Sequence, residues 1–281
     1  LTLVDAEARK QVVRKAEIRE RKTSEVSLMP TGLAARLSQR EFADMIAYLQ
    51  SLRQEGQAAP GSGALGSVSL PRGFSATPVV AGLSAATSMA VAPDGRVFVC
   101  EQAGALRVVK GGRLLPEPFV SLRVDHWWER GLLGVTLDPA FASNGFVYVV
   151  YVAAEPFTHH RVSRFTARGD LAAPGTEVVL LEGDDQKTLG GKVPGGHQGG
   201  AIHFGRDGKL YIGVGDQTAG LPARRLDTFQ GKLLRIDPDG SIPTDNPFFK
   251  AARGKYRAVW ALGLRNPFSF AVQPETGRIF I

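Results

Sequence analysis

Met89-Ala90-Val91-Ala92-Pro93-Asp94-Gly95-Arg96-Val97-Phe98-Val99 reads as an apolar strand, an Asp-Gly turn and a second apolar strand. Asp-Gly suits a tight hairpin because glycine enters the left-handed backbone region without steric cost. The same unit returns three times: Leu133-Gly134-Val135-Thr136-Leu137 leading to Asn144-Gly145-Phe146-Val147-Tyr148, Ile202-His203-Phe204-Gly205-Arg206-Asp207-Gly208-Lys209-Leu210-Tyr211-Ile212, and Phe270-Ala271-Val272-Gln273-Pro274-Glu275-Thr276-Gly277-Arg278-Ile279-Phe280. The turn glycines at 95, 145, 208 and 277 are 50, 63 and 69 residues apart, the spacing of one repeated unit with variable loops. A second hairpin half follows the first three, around residues 106–112, 162–169 and 233–240.

Two hairpins make a four-stranded blade, and a lone blade exposes both faces. Stacking blades around an axis buries them. The expected fold is therefore all-β, a partial propeller of about 3.5 blades: three units are complete and a fourth has begun. A β-sandwich also uses short alternating strands. Repetition of the paired hairpin favours the propeller.

Residues 1–52 have a different pattern. The first nineteen read as a short strand pair with a polar centre. After Ser27-Leu28-Met29-Pro30, Ser38 and Glu41 form a capping box, and Phe42, Met45, Ile46 and Leu49 fall on one helical face. Residues 53–66 are small, polar and rich in Pro and Gly, as a linker is. The propeller segment is expected to start at 67. Leu1-Thr2-Leu3 and Arg278-Ile279-Phe280-Ile281 both read as interior points of a longer protein.

The net charge is +7, but the 34 Lys and Arg are dispersed and no recognition-helix or zinc-finger pattern accompanies them, so nucleic-acid binding is not expected. No apolar run is long enough for a membrane span. The single cysteine, Cys100, sits in a strand-like run and excludes an internal disulfide framework.

Three Gly-rich connectors stand out as places for chemistry. In Pro194-Gly195-Gly196-His197-Gln198-Gly199-Gly200 an imidazole has little bulk around it, and its pKa range suits proton transfer; a surface histidine fits equally well. Gly215-Asp216-Gln217 is the second connector. In Gly263-Leu264-Arg265-Asn266-Pro267 a planar cation and an amide are able to hold a developing oxyanion, or the arginine simply pairs with a carboxylate. Trp127-Trp128-Glu129-Arg130 offers two indoles for stacking on a sugar or quinone, or for sealing a core, and Glu129 has Arg130 beside it as a ready partner. His159 and His160, near Pro156, read as loop residues without metal-ligand spacing.

Together these motifs resemble the soluble glucose or sorbosone dehydrogenases, also called aldose sugar dehydrogenases, that use pyrroloquinoline quinone (PQQ). The marks are Gly131-Leu132-Leu133-Gly134-Val135-Thr136-Leu137-Asp138-Pro139-Ala140-Phe141, His197-Gln198-Gly199-Gly200, Gly213-Val214-Gly215-Asp216-Gln217, Gly231-Lys232-Leu233-Leu234-Arg235-Ile236 and Gly263-Leu264-Arg265-Asn266-Pro267, in the family's order. The resemblance implies a six-bladed propeller that oxidises a sugar or polyol by hydride transfer to PQQ. It implies His197 as general base, Arg265 and Asn266 at the reactive quinone carbonyl, and Gln217 and Glu129 as sugar contacts. Calcium is implied too, with ligands from blades beyond residue 281. Gly196 stands where the glucose-oxidising members carry aspartate, and Ala201 where they carry arginine, which sets glucose itself apart from related sugars. A non-catalytic relative binding a carbohydrate or protein, as hedgehog-interacting proteins do, is the alternative.

Residues 1–52 resemble the C-terminal end of a class I cytochrome c. That resemblance implies Met29 as an axial haem ligand and 38–52 as the terminal helix, with electrons passing from PQQ to a fused c-type haem and on to an electron-transfer partner. Covalent haem needs Cys-x-x-Cys-His, which this chain lacks. A periplasmic or extracellular location is implied, because both cofactors are assembled outside the cytoplasm in these families.

Overall fold

The computed structural model describes residues 2–4, 10–12, 14, 38, 71–187 and 195–281. The chain divides into two compact units, 1–76 and 77–281. In the first, β1 (Thr2–Val4) pairs antiparallel with β2 (Lys10–Val12), the strand pair expected near the N-terminus. Met29, the linker at 53–66 and all of the 38–52 helix except Ser38 lie outside the described residues.

The second unit is three four-stranded blades and the first hairpin of a fourth. Blade one runs β3 (Ala86–Val91), β4 (Val97–Glu101), β5 (Ala105–Lys110), with β6 (Arg113–Leu114) and β7 (Val120–Ser121) sharing its outer edge. Blade two runs β8 (Leu132–Leu137), β9 (Phe146–Ala153), β10 (His159–Arg168), then β11 (Leu171–Ala172) and β12 (Val178–Glu182), both on β10. Blade three is β13 (Gly199–Phe204), β14 (Leu210–Val214), β15 (Lys232–Ile236) and β16 (Val259–Leu262). The fourth begins with β17 (Ala271–Val272) paired to β18 (Ile279–Phe280).

All neighbouring strands are antiparallel, so each blade alternates its side chains between two faces, and both faces are apolar. Three cores follow, one per pair of neighbouring blades. Phe98, Cys100, Leu106 and Val108 meet Leu132, Val147, Val149 and Phe165. Tyr148, Val150 and Val162 meet Ile202, Leu210, Ile212 and Leu234. Ala201, Tyr211 and Leu233 meet Phe270. Each large aliphatic or aromatic side chain sealed this way contributes about 1.5–3 kcal/mol. On the other face of blade one Val79, Met89 and Val91 are exposed, with no such cover among the described residues.

The turn glycines at 95, 145, 208 and 277 all have positive φ (84°, 65°, 71° and 72°), as hairpin turns require. In blade two the turn is enlarged by a one-turn helix, α1 (Phe141–Asn144), ending on Gly145. His159 and His160, expected in a loop, lie instead in β10 and are buried. The strand starts soon after Pro156 and carries on for ten residues because its inward positions continue the blade's apolar face. Among the described residues no helix is long and apolar enough to cross a membrane.

Candidate active site

The connectors entering β13, leaving β14 and leaving β16 meet at one end of the blades. Gly215 brings two of them into contact: a Cβ there would lie 1.8 Å from the carbonyl oxygen of His197, so only glycine permits the approach. Gly199 is needed for the same reason, since its Cβ would fall 2.6 Å from the Gly213 oxygen. Gly199 and Gly215 therefore pack backbone against backbone, Gly195 and Gly200 admit the Trp127 ring and Leu133, and a Cβ on Gly196 would meet nothing closer than 3.5 Å. His197 itself has φ 51°, and Gln217 and Thr218 have φ 53° and 63°. Side-chain-bearing residues gathered in the left-handed region mark a backbone held by its surroundings.

This packing places the His197 Nδ1 2.7 Å from Oδ1 of Asp216. The carboxylate also takes the N–H of Thr218 at 2.9 Å, and the Asp216 N–H donates to the Arg265 carbonyl at 2.7 Å. A carboxylate accepting Nδ1–H leaves the lone pair on Nε2. On that side stands Arg265, whose Nε and Nη2 are each 3.4 Å from Nε2. The Arg265 guanidinium is exposed and has no carboxylate partner among the described residues.

Asn266 is fixed at both ends of its amide. Its Oδ1 accepts the Gly199 N–H at 2.8 Å and its Nδ2 donates to Glu129 Oε2 at 3.2 Å. Glu129 Oε2 also accepts the Gln198 N–H at 3.2 Å. Glu129 thus ties blade two to the His197 connector and to Asn266. It does not pair with Arg130, which turns away to Asp125 at 3.1 Å and lies against the Trp127 ring. An open cleft of about 480 Å³ on the inner-strand side is lined by Thr87, Gln102, Trp128, Glu129, Asn266 and Phe268, among others.

Gln217 is 4% exposed, and its amide is occupied from both sides. Its Nε2 reaches His160 Nδ1 at 3.4 Å, and Gln230 donates to its Oε1 at 3.4 Å. His160 Nε2 in turn donates to the Gln198 carbonyl at 2.8 Å. Burial pushes the His160 imidazole down to about 4, so it is neutral near pH 7. Gln198 and Gln186 exchange side-chain hydrogen bonds beside it. This buried polar chain supports the His197 connector from beneath.

Sequence reasoning brought out His197, Arg265, Asn266, Gln217 and Glu129, and the structure gathers all five around one end of the blades. It gave no role to Asp216, His160, Gln198 or Gln230. Asp216 stands 19 residues from His197 and meets it only across the β13–β14 hairpin, so no local spacing announces the pair. Among the described residues no group of three or more His, Cys, Asp or Glu could hold a metal ion.

The family model described as Glucose / Sorbosone dehydrogenase matches residues 83–281. The chain belongs to the glucose/sorbosone dehydrogenase family. Aldose sugar dehydrogenase YliI of Escherichia coli strain K12 is 30% identical over 201 residues, which is 69% of this chain and 52% of that protein. A solved oxidoreductase from Thermus thermophilus, described as a glucose dehydrogenase, is 34% identical with a TM-score of 0.65, covering 72% of this chain and 58% of that one. The PQQ-bound aldose sugar dehydrogenase of Streptomyces coelicolor is 26% identical with a TM-score of 0.57, covering 68% and 54%. This glucose/sorbosone dehydrogenase chain spans about half the length of the relatives it matches.

Proposed function

We propose that this chain carries the proton-transfer part of a PQQ-dependent sugar or polyol dehydrogenase, with His197 as the general base. The supporting observation is the Asp216–His197–Arg265 array. Asp216 sets the imidazole tautomer, so that Nε2 takes the proton of a substrate hydroxyl. The long contacts from Arg265 to Nε2 give way to that hydroxyl, and the guanidinium is then available to an oxyanion. When bound, PQQ would supply an ortho-quinone able to accept a hydride. The residues here fit its carbonyl end: an exposed cation without a carboxylate partner among the described residues and an amide locked by Glu129 and Gly199. Glu129 holds that amide and the His197 connector in one register, and its remaining carboxylate oxygen belongs to the sugar side, whereas the buried Gln217, engaged by His160 and Gln230, supports the connector and is not a direct sugar contact.

Calcium belongs to the same proposal, with ligands from outside the described residues. The resemblance of residues 1–52 to a cytochrome c carries a further element: electrons leave for a c-type haem with Met29 as axial ligand, in the periplasm or outside the cell. This chain does not fit covalent haem attachment, since its one cysteine is buried in β4. No step is derived through haem.

The experiment is titration of the full-length protein with PQQ and calcium, followed by dye reduction with aldoses and polyols. PQQ binding with turnover of at least one sugar or polyol is expected. Binding without turnover contradicts the substrate, and no binding favours a partner-binding propeller.

A further inference from the structure

Lys232, the first residue of β15, is fully buried, a rare place for a lysine. Its Nζ donates to three backbone carbonyls: Pro222 at 3.2 Å, Ala223 at 2.8 Å and Gln230 at 2.5 Å. Among the described residues no carboxylate stands at ion-pair distance from it. Burial pushes its pKa down to about 8, and the ammonium remains the main form at pH 7.

A buried charge without a counter-ion costs stability, so filling the core alone would favour an apolar side chain. What the ammonium adds is three donors on one atom. Here they gather two segments, the one-turn 3-10 helix Leu221–Arg224 and Gln230 at the entry to β15.

The gathered turn bears on Arg265. The Ala223 carbonyl that accepts from Lys232 also accepts the Gly263 N–H at 2.8 Å, and the Gly231 carbonyl accepts the Leu264 N–H at 3.0 Å. Gly231 lets these segments meet, since a Cβ there would lie 2.4 Å from the Ala223 Cβ and 2.4 Å from the Leu264 oxygen. Gly263 and Leu264 directly precede Arg265, whose own carbonyl accepts the Asp216 N–H. The connector that bears Arg265 is thus tied to Asp216 and, just ahead of the arginine, to the turn that Lys232 holds. Ala223 and Arg224 of the turn and Gly263 and Arg265 of the connector line one open cleft of about 410 Å³.

We propose that Lys232 is a positioning residue for the Arg265–Asn266 pair: its ammonium clips the Pro222–Ala223 turn to the entry of β15, and the Ala223 carbonyl then sets where the connector presents the guanidinium. Lys232 touches neither substrate nor cofactor and acts through Arg265. The inference rests on the proposed function, because what it positions is the cation offered to the quinone carbonyl.

The test uses the full-length protein with PQQ and calcium. Lys232→Met keeps the length of the side chain and removes the three donors. PQQ affinity is read by titrating the quinone absorbance, turnover by dye reduction on an accepted sugar or polyol, and folding by chemical denaturation. Lys232→Met is expected to weaken PQQ binding and lower kcat by about tenfold each, the scale of a hydrogen bond to a charged group, with KM for the sugar within about threefold. In an Arg265→Ala background the same change should cost less than about threefold, because nothing is left to place. Leu234→Ala, which opens the core two residues along β15, is the stability control and should leave PQQ affinity and kcat within about twofold while lowering the denaturation midpoint. If Lys232→Met does not fold, Pro222→Gly takes its place: it loosens the same turn from a partly exposed position, and a loss of about threefold or more that vanishes without Arg265 is expected. A wild type that turns over sugar while the variant matches it within twofold overturns the positioning role alone. Losses equal with and without Arg265, or equalled by Leu234→Ala, overturn it as well. A wild type that neither binds PQQ nor oxidises any sugar or polyol overturns the function on which it rests.

Discussion

The Nδ1 of His197 and Oδ1 of Asp216 are 2.7 Å apart, although 19 residues separate them in the chain. The contact exists because Gly215 lets the two connectors touch backbone to backbone. Asp216→Asn keeps the size and loses the charge that fixes the tautomer. Turnover should fall by about 10²-fold or more, within the range for disabling a general base, while sugar affinity changes little. Steady-state kinetics on the PQQ-loaded full-length protein check this.

Gly215→Ala tests the packing directly. Its Cβ would stand 1.8 Å from the His197 oxygen, so the connector must move or the strand must distort. A loss of roughly 2–4 kcal/mol is expected, the scale of overpacking plus backbone strain. Gly208→Ala is the control: space there is open, and only the positive φ of 71° is penalised. Chemical denaturation of both variants should rank them in that order.

The blades were legible in the sequence because hairpin turns and strand alternation are local. Asp94-Gly95 and Asp207-Gly208 carry their geometry in two residues, and both turns form as expected. His197 and Arg265 were legible as candidates for the same reason, each flanked by glycine or proline. The long-range pairings were not. Asp216 finds His197 through a hairpin, and Glu129 finds Asn266 across 137 residues. Neighbours in sequence misled in the other direction: Glu129 takes the Gln198 N–H while Arg130 pairs with Asp125, so adjacency did not make them a pair.

His160 predicts a pH dependence. Burial lowers its folded-state pKa to about 4 from 6.5, so the unfolded chain takes up the proton first as pH falls. The stability it contributes is complete above pH 6.5 and is lost as pH drops toward 4, at about 1.4 kcal/mol per pH unit and roughly 3 kcal/mol in all. Its proton would also repel the Gln217 amide, loosening the His197 connector. Denaturant unfolding between pH 4 and 7 should show this slope, and His160→Gln should flatten it.

Cys100 is fully buried in β4, and burial pushes its thiol far up, so it carries no thiolate at neutral pH. A thiol reagent should leave the native protein unlabelled and react with one equivalent in denaturant. Native-state labelling on the same timescale would contradict the packing between blades one and two.

The most direct measurement is dye-linked turnover of the full-length protein, loaded with PQQ and calcium, for wild type and His197→Ala on one accepted sugar or polyol. The expected result is a fall of about 10²–10⁴-fold in kcat with PQQ binding intact. A fall of less than about threefold contradicts His197 as the general base.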